Sequence, residues 1–320
     1  MTRAQRAERF ATAPQGNVTQ TSHKHVTKQN RSSPNATNTL KSGEAEQQPK
    51  RWGLTAVGVV VALVFLAPYL IMLSGAFKSR QEILKVPPIY LPTDWKVDNF
   101  VNMWSTPETP LPDNLLSTVV ISLCGTALAL VAALPAAYYT ARHNFRLKLP
   151  FMLLVLITQM LQPTVLASGL FREFVIFEIN DTWLAMILVN AAFNLSFAVW
   201  IMHSFFATVP KEIEEAAWLD GCSRGQSLRR IMLPLVWPGI VTAVIFTFIA
   251  CWNEFAASLI LLPTDTNQPL TVALTRFIGQ YESAWQYVFA VSIIGILPVV
   301  ALFAMIEKHL VSGLTAGGVK

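Results

Sequence analysis

Residues 210–239 read PKEIEEAAWLDGCSRGQSLRRIMLPLVWPG and separate two strongly apolar runs. This segment carries three glutamates, one aspartate, one lysine and three arginines, although only 13% of the chain is charged. The pattern predicts a short acidic helix, a break at Gly221 and a second helix that ends at Leu233-Pro234. A charged helical segment between two apolar runs indicates a docking element for a soluble protein.

The composition on either side of this segment is that of a membrane protein. Hydrophobic residues make up 53% of the 320 residues, and the mean hydropathy is +0.44. Soluble domains carry about 25% charged residues, which is nearly twice the fraction in this chain. The net charge of +5 fits the Lys and Arg enrichment of cytoplasmic loops, so it does not indicate a nucleic acid partner.

Six apolar runs are long enough to cross a bilayer, because each exceeds the ~18 residues that distinguish a span from a buried core helix. Each run is bounded by charges or prolines. The predicted spans are residues 53–77, 114–139, 150–171, 183–208, 239–262 and 286–307. The sequence therefore predicts an all-α membrane protein with six transmembrane helices.

The two ends of the chain differ from the apolar domain over residues 51–308. Residues 1–50 contain almost no large apolar residue after Phe10, so this segment cannot form a core and is predicted to be a disordered tail. Residues 309–320 form a short tail after the last apolar run.

The positive charges predict the orientation of the spans. With the N-terminus in the cytoplasm, 18 of the 24 Lys and Arg residues fall on the cytoplasmic side. Cytoplasmic loops are enriched in these residues. We therefore predict that both termini and the segment 210–239 are cytoplasmic.

Polar side chains inside the predicted spans are the candidates for a translocation path, because a polar group in hydrocarbon needs a partner or a wet cavity. The glutamines lie three residues apart and two of the asparagines lie four apart, so each pair shares a helix face. Hydrogen bonding between helices explains the amides equally well. For the glutamate we favour a pore or a subunit interface, since a buried carboxylate needs a partner. The candidates are Gln159, Gln162, Asn190, Asn194, Asn253 and Glu254.

The sequence contains no set of residues for covalent or metal catalysis. It lacks the phosphate-binding G-x-x-x-x-G-K-[ST] loop, H-E-x-x-H and G-x-S-x-G. The five histidines do not cluster with cysteines at metal-ligand spacing. We predict that the chain is not an enzyme, binds no cofactor or metal, and obtains any energy from another subunit.

Within the charged segment, Glu215-Ala216-Ala217 is followed by Asp220-Gly221, nine further residues, Ile231 and Leu233-Pro234. This spacing resembles the EAA motif of ABC-importer permeases. The resemblance implies a type I permease fold in which the loop 209–238 forms a cytoplasmic coupling helix that contacts an ATPase. The residues that it assigns to this coupling are Glu214, Glu215, Ala216, Ala217, Asp220, Gly221, Arg224, Ile231, Leu233 and Pro234.

Two more segments resemble the carbohydrate-uptake branch of this family, and within it the shorter permease subunit. They are Trp252-Asn-Glu-Phe255 and the C-terminal GLTAGGVK at 313–320. In the family this tail reaches the ATPase dimer. The resemblance thus implies ATPase contacts by Gly313, Leu314, Thr315, Ala316 and Gly317.

The resemblance also implies the partners and the location. It implies a second permease subunit, an ATPase dimer that holds ATP and Mg, an extracellular or periplasmic solute-binding protein, a sugar substrate and the lipid of a bacterial cytoplasmic membrane. Two alternatives remain open at this point. One is an ABC permease for another solute, such as a polyamine or iron, and the other is a secondary transporter or channel that acts alone.

Overall fold

The computed structural model describes residues 52–106, 109–279 and 282–316, and the predicted tail 1–50 lies outside them. The regular secondary structure of the described residues is helical, apart from a single antiparallel bridge between Ile278 and Ser283. The α-helices are α1 Trp52–Ala76, α2 Arg80–Ile83, α3 Asn99–Asn102, α4 Leu111–Arg142, α5 Lys148–Met160, α6 Pro163–Ile176, α7 Trp183–Thr208, α8 Lys211–Leu219, α9 Arg224–Ser227, α10 Leu233–Leu235, α11 Trp237–Trp252, α12 Ala256–Leu261, α13 Leu270–Ala273 and α14 Trp285–Ala316.

The chain divides into two units, Met1–Gly58 and Val59–Lys320. Of the first unit, only residues 52–58 are described, and they form the beginning of α1. All of the packing reported below lies within the second unit.

Among the described residues, four helices are long and apolar enough to span a membrane. These segments are Thr55–Ala76, Leu111–Arg142, Trp183–Thr208 and Trp285–Met305. Two bent helix pairs also pass the test: Lys148–Met160 with Pro163–Ile176, and Arg224–Leu235 with Trp237–Trp252. Counting each pair as one span gives six, although the second pair begins within the loop 209–238 and not at residue 239 as predicted. The predicted all-α fold is confirmed.

The third predicted span, 150–171, is not one continuous helix. Helix α5 ends at Met160, α6 begins at Pro163, and the two axes differ by 93°. Leu161 and Gln162 are extended, with ψ of 120° and 137°. The reason is Pro163, which cannot donate a backbone hydrogen bond and disfavours helical conformation in the residue before it.

The fifth predicted span, 239–262, is also interrupted. Helix α11 ends at Trp252, and α12 begins at Ala256. The carboxylate of Glu254 accepts a hydrogen bond of 2.6 Å from the N–H of Ala257. The polar pair Asn253-Glu254 therefore supplies a partner for an otherwise unpaired amide at the start of α12.

Helices α4, α7 and α11 form the centre of the helical packing, and small residues allow them to approach closely. Ala133 and Ala137 of α4 are fully buried in one cluster with Met202 and Phe206 of α7. A side chain is excluded at Gly239 of α11, because an added Cβ would overlap the ring of Phe205.

We expect Gly239→Ala to destabilise the protein by about 1–3 kcal/mol, because overpacking displaces neighbouring atoms. Thermal unfolding of the purified protein in detergent measures the effect. Gly169→Ala is the matched control, since nothing lies within 4 Å of an added Cβ there and alanine favours the helix by up to ~1 kcal/mol. Equal midpoints for both variants would contradict the close packing at Gly239.

Two polar contacts, one buried and one exposed, fasten the segment between α1 and α4. Lys78 is buried and donates to the carbonyl oxygens of Ile89 and Tyr90, at 2.5 and 2.9 Å. Arg80 donates to Glu282 at 2.8 Å, and this contact lowers the pKa of the exposed Glu282 carboxyl. These contacts join this segment to itself and to the residues that precede α14.

Candidate functional site

The predicted coupling loop begins with the acidic helix α8, which follows Pro210. Pro210 precedes α8 with a ψ of 140°, and Glu212 and Glu214 lie in the first turn. Acidic side chains there interact favourably with the positive end of the helix dipole. These acidic side chains therefore stabilise the start of α8.

Helix α8 ends in a Schellman motif that depends on glycine. Gly221 donates to the Trp218 carbonyl at 3.1 Å, and Cys222 donates to the Ala217 carbonyl at 3.0 Å. Gly221 has a φ of +86°, which L side chains rarely adopt. The predicted break at Gly221 is thus a sharp turn that satisfies the last carbonyls of the helix.

The second half of the loop begins with a capping box that the sequence reading missed. The Ser223 hydroxyl accepts from the Gln226 N–H at 3.3 Å, and the Gln226 side chain accepts from the Ser223 N–H at 2.9 Å. The signal was the spacing S-x-x-Q, which is typical of a helix start. A π-helical turn, Leu228–Met232, follows α9 and leads into α10 and α11.

The coupling residues predicted from the motif do not share one surface. Glu214 and Ala217 are buried, and Ile231 and Leu233 are half-buried. The exposed members are Glu215, Ala216, Asp220, Gly221, Arg224 and Pro234.

Ile213, Ala216 and Ala217 are spaced i, i+3 and i+4 along α8, but Ala217 is buried whereas the other two are exposed. Ala217 points inward together with Glu214, because the Glu214 side chain is held inside the protein. The outward side of α8 instead carries Leu219, which is 89% exposed, and Ile213, which is 39% exposed. We call the exposed residues Ile213, Glu215, Ala216, Leu219 and Asp220 the docking face.

Glu214 forms a buried ion pair with Arg142, the last residue of α4. The Arg142 Nε and Glu214 Oε2 atoms are 2.9 Å apart, and the two side chains are only 6% and 3% exposed. The hydroxyl of Tyr138, one turn earlier in α4, also donates to the Glu214 carboxylate. The motif did not reveal Tyr138 or this role of Arg142, since both precede it by more than 70 residues.

Arg224 braces the turn from outside. Its guanidinium lies 4.9 Å from the centre of the Trp218 ring, within cation–π range. Its Nη1 atom is 3.3 Å from His143 Nε2, at the end of α4. These two contacts hold the segment after Gly221 against α8 and α4.

A second candidate site is an open pocket of about 430 Å³ among α5, α6, α7 and α11. Five of the six predicted translocation-path residues line it, and Phe193, Phe197 and Phe246 add aromatic surface. Gln162, the residue that precedes α6, does not line it. The candidates in the pocket are Gln159, Asn190, Asn194, Asn253 and Glu254.

Backbone bonds satisfy some polar groups in this pocket. The amides of Asn194 and Asn253 donate to the carbonyls of Asn190 and Ile249, each at 2.9 Å. The buried Asn190 Nδ2 atom has no hydrogen-bond partner among the described residues. The pocket therefore combines fixed amides, a free buried donor and apolar rings.

Both helix interruptions border the pocket, through Leu161 and Pro163 on one side and Asn253 and Glu254 on the other. Irregular backbone at membrane depth is tolerated where it is buried in protein or lines a water-filled cavity. The location of the interruptions and the polar lining agree, and both favour a hydrated cavity.

The loop and the helical core are shared with known transport proteins. A family model described as "Binding-protein-dependent transport system inner membrane component" matches residues 125–315. The diacetylchitobiose uptake system permease protein DasC of Streptomyces coelicolor is 30% identical over 267 residues, covering 83% of this chain and 95% of that protein. The trehalose/maltose transport system permease protein MalG of Thermococcus litoralis is 29% identical over 276 residues, covering 86% and 99%.

Solved structures share the fold. A chain of a bacterial ABC transporter involved in the import of the acidic polysaccharide alginate matches with a TM-score of 0.68. It is 19% identical, and the match covers 83% of this chain and 99% of that chain. This chain thus belongs to the family of binding-protein-dependent transport system inner membrane components, as a non-catalytic permease subunit of an ABC importer.

Proposed function

We propose that the chain is the permease subunit of an importer for a sugar or oligosaccharide, and that a partner ATPase drives it through the loop 209–238. The observation that carries the coupling role is the docking face, where Leu219 is 89% exposed beside a structurally fixed turn. Insertion of this helix into a groove on the ATPase would remove the leucine from water, which is favourable.

By the family resemblance, we propose that the partner is an ATPase dimer that holds ATP and Mg. The sequence of this chain has no phosphate loop of its own. Ala216 lets the groove wall approach the helix backbone, and Glu215 and Asp220 offer carboxylates to basic residues at its rim. The positive-inside rule supports a cytoplasmic location for this loop and for both termini, in a bacterial cytoplasmic membrane.

We also place Gly313–Ala316 against the ATPase dimer, by the family resemblance. These residues continue α14, whereas Gly317 lies outside the described residues. A second permease subunit completes the transmembrane path, and an extracellular or periplasmic binding protein delivers the solute.

A sugar fits the chemistry of the pocket. Amides both donate to and accept from hydroxyl groups, and aromatic rings cover the apolar faces of a sugar ring. The names of two similar permeases, for diacetylchitobiose uptake and for trehalose/maltose transport, support the same substrate class. We place Gln159, Asn190, Asn194, Asn253 and Glu254 along the path, and we omit Gln162.

The experiment that tests this function uses proteoliposomes containing this chain, its second permease and its ATPase. Uptake of radiolabelled maltose, trehalose and chitobiose is measured with and without the binding protein and ATP. We expect uptake of at least one of these sugars that requires both. ATP-dependent uptake of a different solute class alone would refute the sugar assignment, and uptake without any ATPase would refute the coupling role.

Polyamine import is the second candidate, because the Glu254 carboxylate lines the pocket and would attract a cation. Labelled spermidine in the same assay distinguishes the two solutes. A cationic solute would compete with sugar uptake only if it used the same path.

We expect Glu254→Gln to lower sugar uptake by about 10-fold or more, because a hydrogen bond to a charged group contributes about 1.5–3 kcal/mol. The glutamine oxygen can still accept from the Ala257 N–H, so α12 keeps its start. The measurement is the initial uptake rate in proteoliposomes. Glu173→Gln, on the exposed side of α6, is the control. If Glu254→Gln takes up sugar at the wild-type rate, the role of Glu254 is limited to pairing with the start of α12.

A further inference from the structure

The cluster formed by Tyr138, Arg142 and Glu214 joins the coupling helix to the membrane helices, and we refer to it as the latch. We propose that the latch transmits the movement of α8 to α4, so that Glu214 and Arg142 are positioning residues for transport. This inference rests on the proposed docking of an ATPase to the docking face. It assigns Glu214 an internal role, distinct from the ATPase contact implied by the motif.

The latch is buried, and its Arg142 Nε–Glu214 Oε2 contact is an ion pair without hydrogen-bond geometry. The ion pair between Arg142 and Glu214 is almost fully removed from solvent, where electrostatic interactions are weakly screened. Separating the two groups would leave each charge unpaired in a low-dielectric environment, which is costly. When the ATPase displaces α8, the end of α4 therefore moves with it and the ion pair stays intact.

Arg142 also joins the other segments that meet at this point. Its Nη1 atom donates to the carbonyl oxygen of Val209, at the end of α7, at 2.8 Å. Its Nη2 atom is 3.6 Å from the sulfur of Met232, in the π-helical turn. One guanidinium thus contacts the segments on both sides of α8 as well as α8 itself.

The end of α4 cannot move independently of α7. Pro135 lies inside α4, so the hydrogen-bond ladder is weakened two turns before Arg142. Ala133 lies just before this proline and Ala137 just after it. Both are fully buried in the same cluster as Met202 and Phe206 of α7. Packing across the proline therefore keeps the last turns of α4 attached to the rest of the helix pair.

The opposite end of α4 is bonded to the segment that follows α12. The helix has 32 residues and is about 48 Å long at ~1.5 Å per residue. The Asn114 amide donates to the carbonyls of Asp265 and Gln268 at 2.6 and 2.7 Å, and the Leu270 N–H donates to Thr118 at 2.7 Å.

This segment reaches the pocket. The Thr271 hydroxyl donates to the carbonyl oxygen of Glu254 at 2.8 Å, at the break between α11 and α12. A continuous set of bonded and packed elements thus runs from Glu214 through α4 to Glu254. Such contiguous networks can carry energetic coupling between distant sites. A measured change in the coupling between ATP hydrolysis and transport decides whether this one does.

The test uses the complete complex with ATPase and binding protein in proteoliposomes, and the chain variants Glu214→Gln, Arg142→Met and both together. Two quantities are measured: ATPase co-purification and the number of ATP molecules hydrolysed per sugar imported. We expect the ATPase to remain bound and the ATP-to-sugar ratio to rise at least 10-fold in each single variant. The double variant should be no worse than the more affected single one, because both changes break one contact.

Arg146→Met is the matched control, since Arg146 is an exposed arginine in the loop between α4 and α5, four residues after Arg142. Its ratio should stay at the wild-type value. Tyr138→Phe removes only the hydroxyl that donates to Glu214 and keeps the ring, so it remains informative if the charge variants do not reach the membrane. We expect its ratio to rise at least 2-fold.

The outcomes separate the latch from the proposed function. A wild-type chain that does not retain the ATPase would refute the docking proposal. Latch variants that retain the ATPase and hydrolyse ATP at the wild-type ratio to sugar would overturn the latch. If the charge variants do not reach the membrane, a wild-type ATP-to-sugar ratio in Tyr138→Phe would overturn the latch.

Discussion

Replacing Gly221 with valine is expected to abolish solute uptake while the chain remains in the membrane. Gly221 has a φ of +86°, and a non-glycine residue in this region costs about 1–3 kcal/mol. A β-branched side chain is a poor choice there because it tolerates positive φ least. The two Schellman bonds would be lost, and the end of α8 that carries Leu219 would change direction.

Steric crowding does not contribute to this effect, because nothing lies within 4 Å of a Cβ added at Gly221. The control is therefore Gly221→Asn, since asparagine adopts the left-handed conformation more readily than other side chains. Initial uptake rates and ATP hydrolysis are measured in proteoliposomes for both variants. Uptake should survive largely in the asparagine variant, and full uptake in the valine variant would remove the coupling role of this turn.

Leu219→Asp is expected to weaken ATPase binding by about 10- to 100-fold or more. Burying a leucine side chain contributes about 1.5–3 kcal/mol, and each 1.4 kcal/mol is tenfold in affinity. Aspartate both loses this contribution and brings a charge that must be desolvated in the groove. The fold itself should tolerate the change, since Leu219 is almost fully exposed.

The measurement is the Kd of the purified ATPase for permease complexes in nanodiscs. Leu91→Asp is the matched control, because Leu91 is an exposed leucine in the loop between α2 and α3 and lies outside the coupling loop. An unchanged Kd in Leu219→Asp would contradict the docking face, because it would show that Leu219 does not contact the ATPase.

Local patterns were sufficient for the class of the protein and for the position of the charged helical loop 209–238. Apolar runs longer than ~18 residues follow from the thickness of the bilayer, so spans can be counted without knowing their packing. The turn at Gly221 was likewise predictable, because it depends on the backbone freedom of one residue. The interruption at Pro163 also has a local cause, but the angle of 93° between α5 and α6 does not follow from the local sequence.

The direction of each side chain depended on residues far away in the chain. Glu214 and Glu215 are adjacent and chemically identical, yet one is buried and the other is exposed. The difference arises because Tyr138, 76 residues earlier, and Arg142 offer partners to only one of them. Similarly, the pocket assembles polar residues from separate helices, and only their packing left Gln162 outside it. Helix formation and turns are set by neighbours in sequence, whereas burial and pairing are set by neighbours in space.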